Sequence, residues 1–575
     1  MNINSAQIRN KLNNLSKPSS VKAGSGYIVM PPEDKGLFKS EGAEAPSVES
    51  FGVKNTESLD LVGGVLAELS PDQVKDMKDN GFQVFKDEVN EYIPSYKPLN
   101  LDAVAEKAID KAMSAMEAGE SPEPAPAGEG KSDYVPRQEM VEPRFDSTIE
   151  KAFRGQGVTI AVLDSGIGAH PDLGERFLGQ VDFVQGEPIP YDDNGHGIHV
   201  GVTTAGDGTM NPLFAGPAQK ANVISMKVLS GAGSGRTSDI IKAIQTAVQM
   251  KDELNIKVIN MSLGGPASKN GESDPINQAV KAAKEAGVTV VVAAGNDGPE
   301  RSTIGSPGNS LSAITVGATD DKNTEDPSDD IPAPFSSRGP TPDGVTKPNV
   351  MAPGVTIMAG RTHQSESAQR ATQMGQMHES IQFLDNMPFD ELQKAPNALF
   401  NSIGLGDETA ERIKMFEPIS DMVFKSLLEA TARMPETDDG LYLGMSGTSM
   451  ATPIVSGVVA QLYSANPDLS PDQIQDILQS TADKLPDGRL GKNTQGHGVI
   501  NPEKALLKAL KTEGEHKPAI IQGDSLAILA DQLGIDLDEL LGGGEPEAPA
   551  ETDTPAEGDA PAETETPAEE EKPAA

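Results

Sequence analysis

Residues 256–296 read IKVINMSLGGPASKNGESDPINQAVKAAKEAGVTVVVAAGN. Val258–Met261 and Val288–Ala294 are short apolar runs that barely alternate, the pattern of strands covered on both faces of a parallel sheet. Between them, Pro275–Ala286 reads as a helix that begins on a proline and is closed by Gly287. Two parallel strands joined by a helix require a right-handed crossover. The same unit recurs on either side. Val158–Leu163, Val223–Val228 and Ile314–Val316 read as strands, and Thr237–Lys251 as a helix with Thr and Ser at its start. The expected fold class is therefore α/β: a doubly wound parallel sheet with helices on both faces. In such sheets ligands meet the fold beyond the carboxyl ends of the strands.

The chain has 575 residues, enough for two to four domains. Its 47 basic and 87 acidic residues give a formal charge of −40. That argues against nucleic acid, whose phosphates need clustered Lys and Arg, and against docking on an anionic membrane. No Cys is present, which excludes disulfides, thiolate metal sites and cysteine catalysis. With no Trp and 4% aromatic residues, the core must be built from Ala, Val, Ile, Leu and Met. No apolar run approaches a membrane span, and the N-terminus has no apolar leader, so the expectation is a cytoplasmic protein or export by a non-Sec route.

Residues 1–23 are expected to be disordered. Residues 24–96 read as a small α+β unit: strands at Tyr27–Met30, Val65–Leu69 and Phe82–Phe85, with a helix capped by Ser70 and closed by Gly81. Residues 97–134 hold a helix, Leu101–Glu117, and a linker rich in Pro, Gly and Glu at 119–132. The central domain spans 135–512 and is interrupted by a helical insertion at 361–440. Residues 513–542 read as a short helical hairpin. Residues 543–575 form a Pro/Ala/Thr/Glu tail: 545–575 alone carry eleven acids and one base, too little apolar surface to fold. Such a tail is solubilising or partner-binding. The insertion, placed before a candidate nucleophile, is a lid over the cleft or a packing or oligomer element.

Three glycine-rich strand ends carry the chemistry. AVLDSGIGAHPDL ends a strand at Asp164, YDDNGHGIHV holds His196 between two glycines, and YLGMSGTSMATPIVSGVVAQL opens a helix at Ser449. A hydroxyl nucleophile needs an imidazole to take its proton, and the imidazole needs a carboxylate to fix its tautomer. The start of a helix offers free N–H groups to a developing oxyanion.

DSGI…HPDL, HGIHV and GTSMATP together resemble the three signature blocks of the subtilisin-like serine proteases, the subtilases, over residues 135–505 outside the insertion. The resemblance implies peptide-bond hydrolysis through an acyl-enzyme, with Asp164 orienting, His196 as base then acid, and Ser449 attacking. AAGN at 293–296 implies that Asn296 donates to the oxyanion. Ser262, Leu263, Gly264 and Gly265 match the edge segment that pairs with an extended protein or peptide substrate. With Ala293, Ala294 and Gly295 they would wall the pocket before the scissile bond. Gly305 falls at its floor, which would leave it roomy, and Asp297 at its mouth would favour a basic side chain. The block after the histidine departs from the family's HGTHVAG at Ile198, Gly201 and Val202, which puts packing near His196 in question but not the mechanism. His199 reads as a buried helix histidine; no zinc-ligand set accompanies it. The family also implies a structural calcium ion, held here by Asp172, Asp207 and Asn211; otherwise Asp172 is a turn or cap residue. The 24–96 unit resembles an inhibitory propeptide, the chain's own intramolecular partner and the mark of a zymogen; the alternative is an ordinary accessory domain. The rival function is a catalytically silent peptide-binding protein on the same scaffold.

Overall fold

The computed structural model describes residues 5–32, 47–93, 100–118, 147–266, 271–324, 327–363, 365–431, 436–437, 439–488 and 490–514. The linker at 119–132, nearly all of the expected hairpin at 513–542 and the tail at 543–575 lie outside these residues.

Residues 1–23 were expected to be disordered, yet helix α1 (Ser5–Leu15) forms there. Its Leu12 is fully buried in the main core with Ile8 beside it. Ser16 Oγ accepts the Asp182 N–H at 3.0 Å. SAQIRNKLNNL is too polar to announce itself; its order comes from docking two side chains on a distant strand. Strands β1 (Gly26–Met30), β2 (Glu57–Leu59) and β3 (Gly64–Glu68), helix α2 (Pro71–Asp79) and strand β4 (Gln83–Lys86) form an antiparallel sheet of order β2-β3-β1-β4. Ser70 and Gln73 close a reciprocal capping box on α2. Strand β5 (Val89–Glu91) leaves this sheet, and helix α3 (Leu101–Glu117) follows.

After helix α4 (Thr148–Ala152), the central sheet is laid down as β6 (Thr159–Asp164), β7 (Phe177–Asp182), helix α5 (His196–Ala205), β8 (Asn222–Lys227), β9 (Ser234–Arg236), helix α6 (Thr237–Leu254), β10 (Ile256–Met261), helix α7 (Pro275–Glu285), β11 (Thr289–Ala293), β12 (Ile314–Asp320), β13 (Ile331–Pro332) and β14 (Val350–Pro353). β9 stands apart. The rest run β13-β12-β11-β10-β6-β8-β7, with β14 also on β12, and only the β12–β13 pairing is antiparallel. The chain first builds to one side of β6 and then crosses to β10 on the other. That reversal opens a crevice beyond the carboxyl ends of β6 and β10. Helices α6 and α7 cover one face through Ile240, Ile244, Ala279 and Val280, and Ile28, Leu59 and Leu66 of the N-terminal unit, which packs on these helices, join the same core. Helices α5 and α13 (Thr448–Ala465) cover the other. The fold is thus the doubly wound parallel sheet that the apolar runs implied.

Strand β15 (Ile357–Gly360) leads into the insertion: α8 (Glu366–Asp385), α9 (Phe389–Leu392), α10 (Asn397–Asn401), α11 (Asp407–Ile413) and α12 (Glu417–Thr431). Strand β16 (Tyr442–Met445) returns antiparallel on β15 and feeds α13. The insertion shares its core with α3. Leu101, Ala105, Ala108, Ile109 and Ala112 are buried against Ile381, Leu392, Phe400, Val423 and Leu427. Arg412 pairs with Glu106, and with Asp110 at 2.8 Å. No helix among the described residues is long and apolar enough to cross a membrane.

Candidate active site

Asp164 ends β6 and His196 opens α5. His196 Nδ1 lies 2.8 Å from Asp164 Oδ1, which also accepts the Ser165 N–H at 2.7 Å. Asp164 is 1% exposed and His196 7% exposed. The contact depends on glycines. A Cβ on Gly197 would lie 2.0 Å from Gly166 O, and Gly166, at φ +116°, has Tyr191 O where its own Cβ would be. A second carboxylate supports the loop. Asp192 Oδ1 accepts from Ser165 Oγ and from the Asn194 and Gly195 N–H groups, and Oδ2 accepts from Ile198 N–H at 2.8 Å. Burial alone would lower the pKa of His196, but the charge and hydrogen bond of Asp164 and the charge of Asp192 outweigh it, and the pKa rises above 6.5. Burial pushes the Asp192 carboxyl up in turn, against the pull of its N–H donors and Lys227.

Ser449 occupies the first turn of α13 and is partly exposed. The two helices that start with His196 and near Ser449 pack directly. Thr204 Oγ1 donates to Pro453 O at 2.6 Å, and Gly457 admits Thr204 O to 2.7 Å of its Cβ position. Among the described residues Ser449 Oγ accepts and donates no hydrogen bond; such contacts often tighten only with substrate present. With Nδ1 committed to Asp164, Nε2 is the nitrogen left for a hydroxyl proton. Asn296 Oδ1 accepts from the Thr448 N–H at 2.9 Å and from Thr448 Oγ1 at 3.0 Å. This turns Nδ2 outward as a donor. Gly447 is extended (φ 160°, ψ 160°) rather than tightly turned. Its missing side chain matters because a Cβ would crowd Asn296 Nδ2 at 3.3 Å.

Ser262, Leu263, Ala293 and Ala294 are buried. Gly265 and Ser306 exchange backbone bonds at 2.8 and 3.0 Å, zipping the two walls together. Gly305 is a close-approach glycine, not an open floor: its Cβ would lie 2.3 Å from Gly265 O. Gly295, at φ +108°, donates its N–H to Thr448 Oγ1. Asp297 is exposed. His199 is fully buried, with Nε2 2.9 Å from Ile357 O and 3.0 Å from Leu443 O, which staples α5 to β15 and β16.

The groove beside Gly264 contains a stretch of the same chain. β5 pairs antiparallel with β9 through Val89–Arg236, Asn90–Gly235 and Glu91–Ser234. The Tyr92 and Ile93 N–H groups donate to Gly233 O at 3.0 and 3.1 Å, and Gly264 N–H reaches Tyr92 O at 3.4 Å. The Tyr92 ring lies against Gly265. β9 as a second wall was missed in the sequence, where GAGSGR (231–236) reads only as a glycine-rich turn.

The calcium reading does not fit these residues. Asp172 is fully buried; it takes the Tyr442 hydroxyl on Oδ2 at 2.6 Å and the Met210 N–H on Oδ1 at 3.0 Å. Asn211 Oδ1 caps Leu213 N–H. Asp207 faces Arg176 at 3.3 Å. The same guanidinium donates to the carbonyls of Asp172, Ala205 and Ala221. Asp207 and these carbonyls already have a cation, the Asp172 and Asn211 side-chain oxygens are taken by protein donors, and a divalent ion beside the guanidinium would be repelled. No group of three or more metal-ligating side chains occurs among the described residues.

The model of the subtilase family matches residues 155–387 and 420–498, more than half of the chain. Serine protease AprX of Bacillus subtilis (strain 168) is 37% identical over 61% of this chain and 66% of its own length, just under two thirds. Subtilisin DY of Bacillus licheniformis is 31% identical over 63% of this chain and 95% of its own. A solved structure described as an S41 psychrophilic protease is 26% identical, with a TM-score of 0.42, over 62% of this chain and 98% of that one.

Proposed function

The chain belongs to the subtilase family of serine proteases, and we propose that it is a serine endopeptidase made as a zymogen, its groove filled by its own N-terminal unit. The observation that carries this reading is the pairing of residues 89–93 between β9 and Gly264, a chain segment added edge-on in the way an extended peptide is bound. In the mechanism, Ser449 attacks the peptide carbonyl as His196 removes its proton. The imidazolium that forms is stabilised by Asp164. Asn296 Nδ2 and the Ser449 N–H face the tetrahedral oxyanion, and His196 then returns the proton to the leaving amine. The small residues Ala293, Ala294, Gly295 and Gly265 let the substrate backbone come close. Residues 89–93 block the groove until the chain is cut beyond Ile93.

Intact mass after purification, for the parent and for Ser449→Ala, tests both parts. The expected result is a parent shortened from its N-terminus and a variant of full length. Parent and variant trimmed alike would assign the cut to another protease. A parent that stays full length and does not react with a fluorophosphonate would overturn the proposal.

A further inference from the structure

The loop that carries His196 is held from outside the catalytic fold. The Glu366 N–H donates to Asp193 O at 3.0 Å, and the Ser367 N–H to Asn194 O at 3.0 Å. Both donors belong to the first turn of α8, where N–H groups have no partner within the helix. Ser365 and Ser367 close over Gly195, whose added Cβ would lie 1.9 Å from Ser367 Oγ and 2.6 Å from Ser365 Oγ. Inside the loop, Asn194 Oδ1 accepts the His196 N–H at 3.2 Å and Asn194 Nδ2 donates to Gly231 O at 2.8 Å. α8 is in turn seated on α12, and α12 on α3.

We infer that the first turn of α8, through the backbone N–H groups of Glu366 and Ser367, is a positioning element for the base His196, so that the insertion serves catalysis itself. The inference rests on the protease reading above. The turn touches neither substrate nor the reacting atoms. Its donors fix the carbonyls of residues 193 and 194, and with them the peptide planes from which the imidazole hangs. Displacing such a base by a fraction of an ångström slows proton transfer while leaving peptide binding in the groove intact.

Glu366→Pro isolates the effect. Residue 366 is the first helical position, and Ser365 before it is extended at φ −76°, ψ 157°, so proline suits the start of the helix; it removes the N–H and sets its Cδ against Asp193 O, which pushes the loop off its seat. Glu366→Ala keeps the N–H. The readout is inactivation of the purified, processed enzyme by a fluorophosphonate, resolved into the limiting rate and the half-saturating concentration across pH. Glu366→Pro should lose at least tenfold in limiting rate with half-saturation within about twofold and a shifted pH midpoint, and Glu366→Ala should match the parent. Should the proline variant not fold, Ser365→Ala, which removes the cap bond to Ala368 N–H, should show a smaller loss in the same direction. A proline variant indistinguishable from the alanine variant overturns the inference, as does a change confined to half-saturation. A parent that does not react at all, or reacts equally as Ser449→Ala, overturns the protease reading instead.

Discussion

Asp239 sits on the first turn of α6, where the N-terminal unit packs on that helix, and it is the surplus charge of a buried cluster. Arg236 is bound by Asp87, with Nε at 2.9 Å, and Lys242 by Glu57. Both acids come from the N-terminal unit, so three carboxylates share two cations. Asp239 is 4% exposed, and its Oδ1 accepts no hydrogen bond from a described residue. Burial, reinforced by Asp87 and Glu57 and opposed by Arg236 and Lys242, pushes its pKa from 3.8 up to about 7. The folded chain therefore holds a proton that the unfolded chain releases between those two values. The stability this proton supplies is fully present below pH 3.8, falls by about 1.4 kcal/mol per pH unit up to about pH 7, and is gone above it. Asn at this position does not titrate. Asp239→Asn, in a Ser449→Ala chain that cannot digest itself, should gain about 2 kcal/mol more over its parent at pH 8 than at pH 5.5. Urea unfolding followed by circular dichroism at the two pH values measures this; both lie clear of the sequence pI of about 4.5. An advantage for Asn of the same size at both values, or none at pH 8, would refute the reasoning.

His196 must be neutral to accept a proton and its pKa is raised, so kcat/KM should climb with pH through a midpoint above 6.5. Asp192→Asn removes one of the charges holding it there and should move the midpoint to lower pH; an unmoved midpoint would show that Asp164 acts alone. Arg176→Met strips the cation from Asp207 and three carbonyls and should cost about 1–3 kcal/mol. The parent melting temperature should be the same in EDTA as in millimolar calcium, and a drop in EDTA would restore calcium to this site.

The sheet was legible because its strands are buried on both faces: IAVL, VISM, VINM and VVVA cannot sit elsewhere in an acidic chain. The contact of His196 with Asp164, and that of Asn296 with Thr448, were legible because turns that bring backbone within 2–3 Å of backbone admit only glycine and small residues, and those stand beside them in the sequence. What was not legible depends on partners far away in the chain. The order of α1 rests on Leu12 meeting Gly179. The poor fit of Asp172 and Asp207 to a calcium ion rests on Arg176 and Tyr442, each ordinary by itself. Gly305 promised space, but glycine marks close approach as readily as emptiness, and here Gly265 O takes that place.

The N-terminal region serves two masters, and the division falls between Ile93 and α3. Up to Ile93 it lies on α6, α7 and β7 and in the groove, held by Asp87 and Glu57 as well as by apolar side chains. From Leu101 it belongs to the insertion, whose core lacks one wall without Leu101, Ala105, Ala108, Ile109 and Ala112. A cut that frees the groove therefore need not disturb α3. Five apolar side chains buried on one face of a helix contribute on the order of 5–10 kcal/mol, enough to keep α3 seated once it is no longer tied to the unit before it. α12 and α8 then stay in place, and with them the two N–H groups on the loop of His196. If the proposed zymogen is activated by a cut between Ile93 and α3, the base keeps its full support, because α3 is built into the core of the insertion and not into the unit that fills the groove.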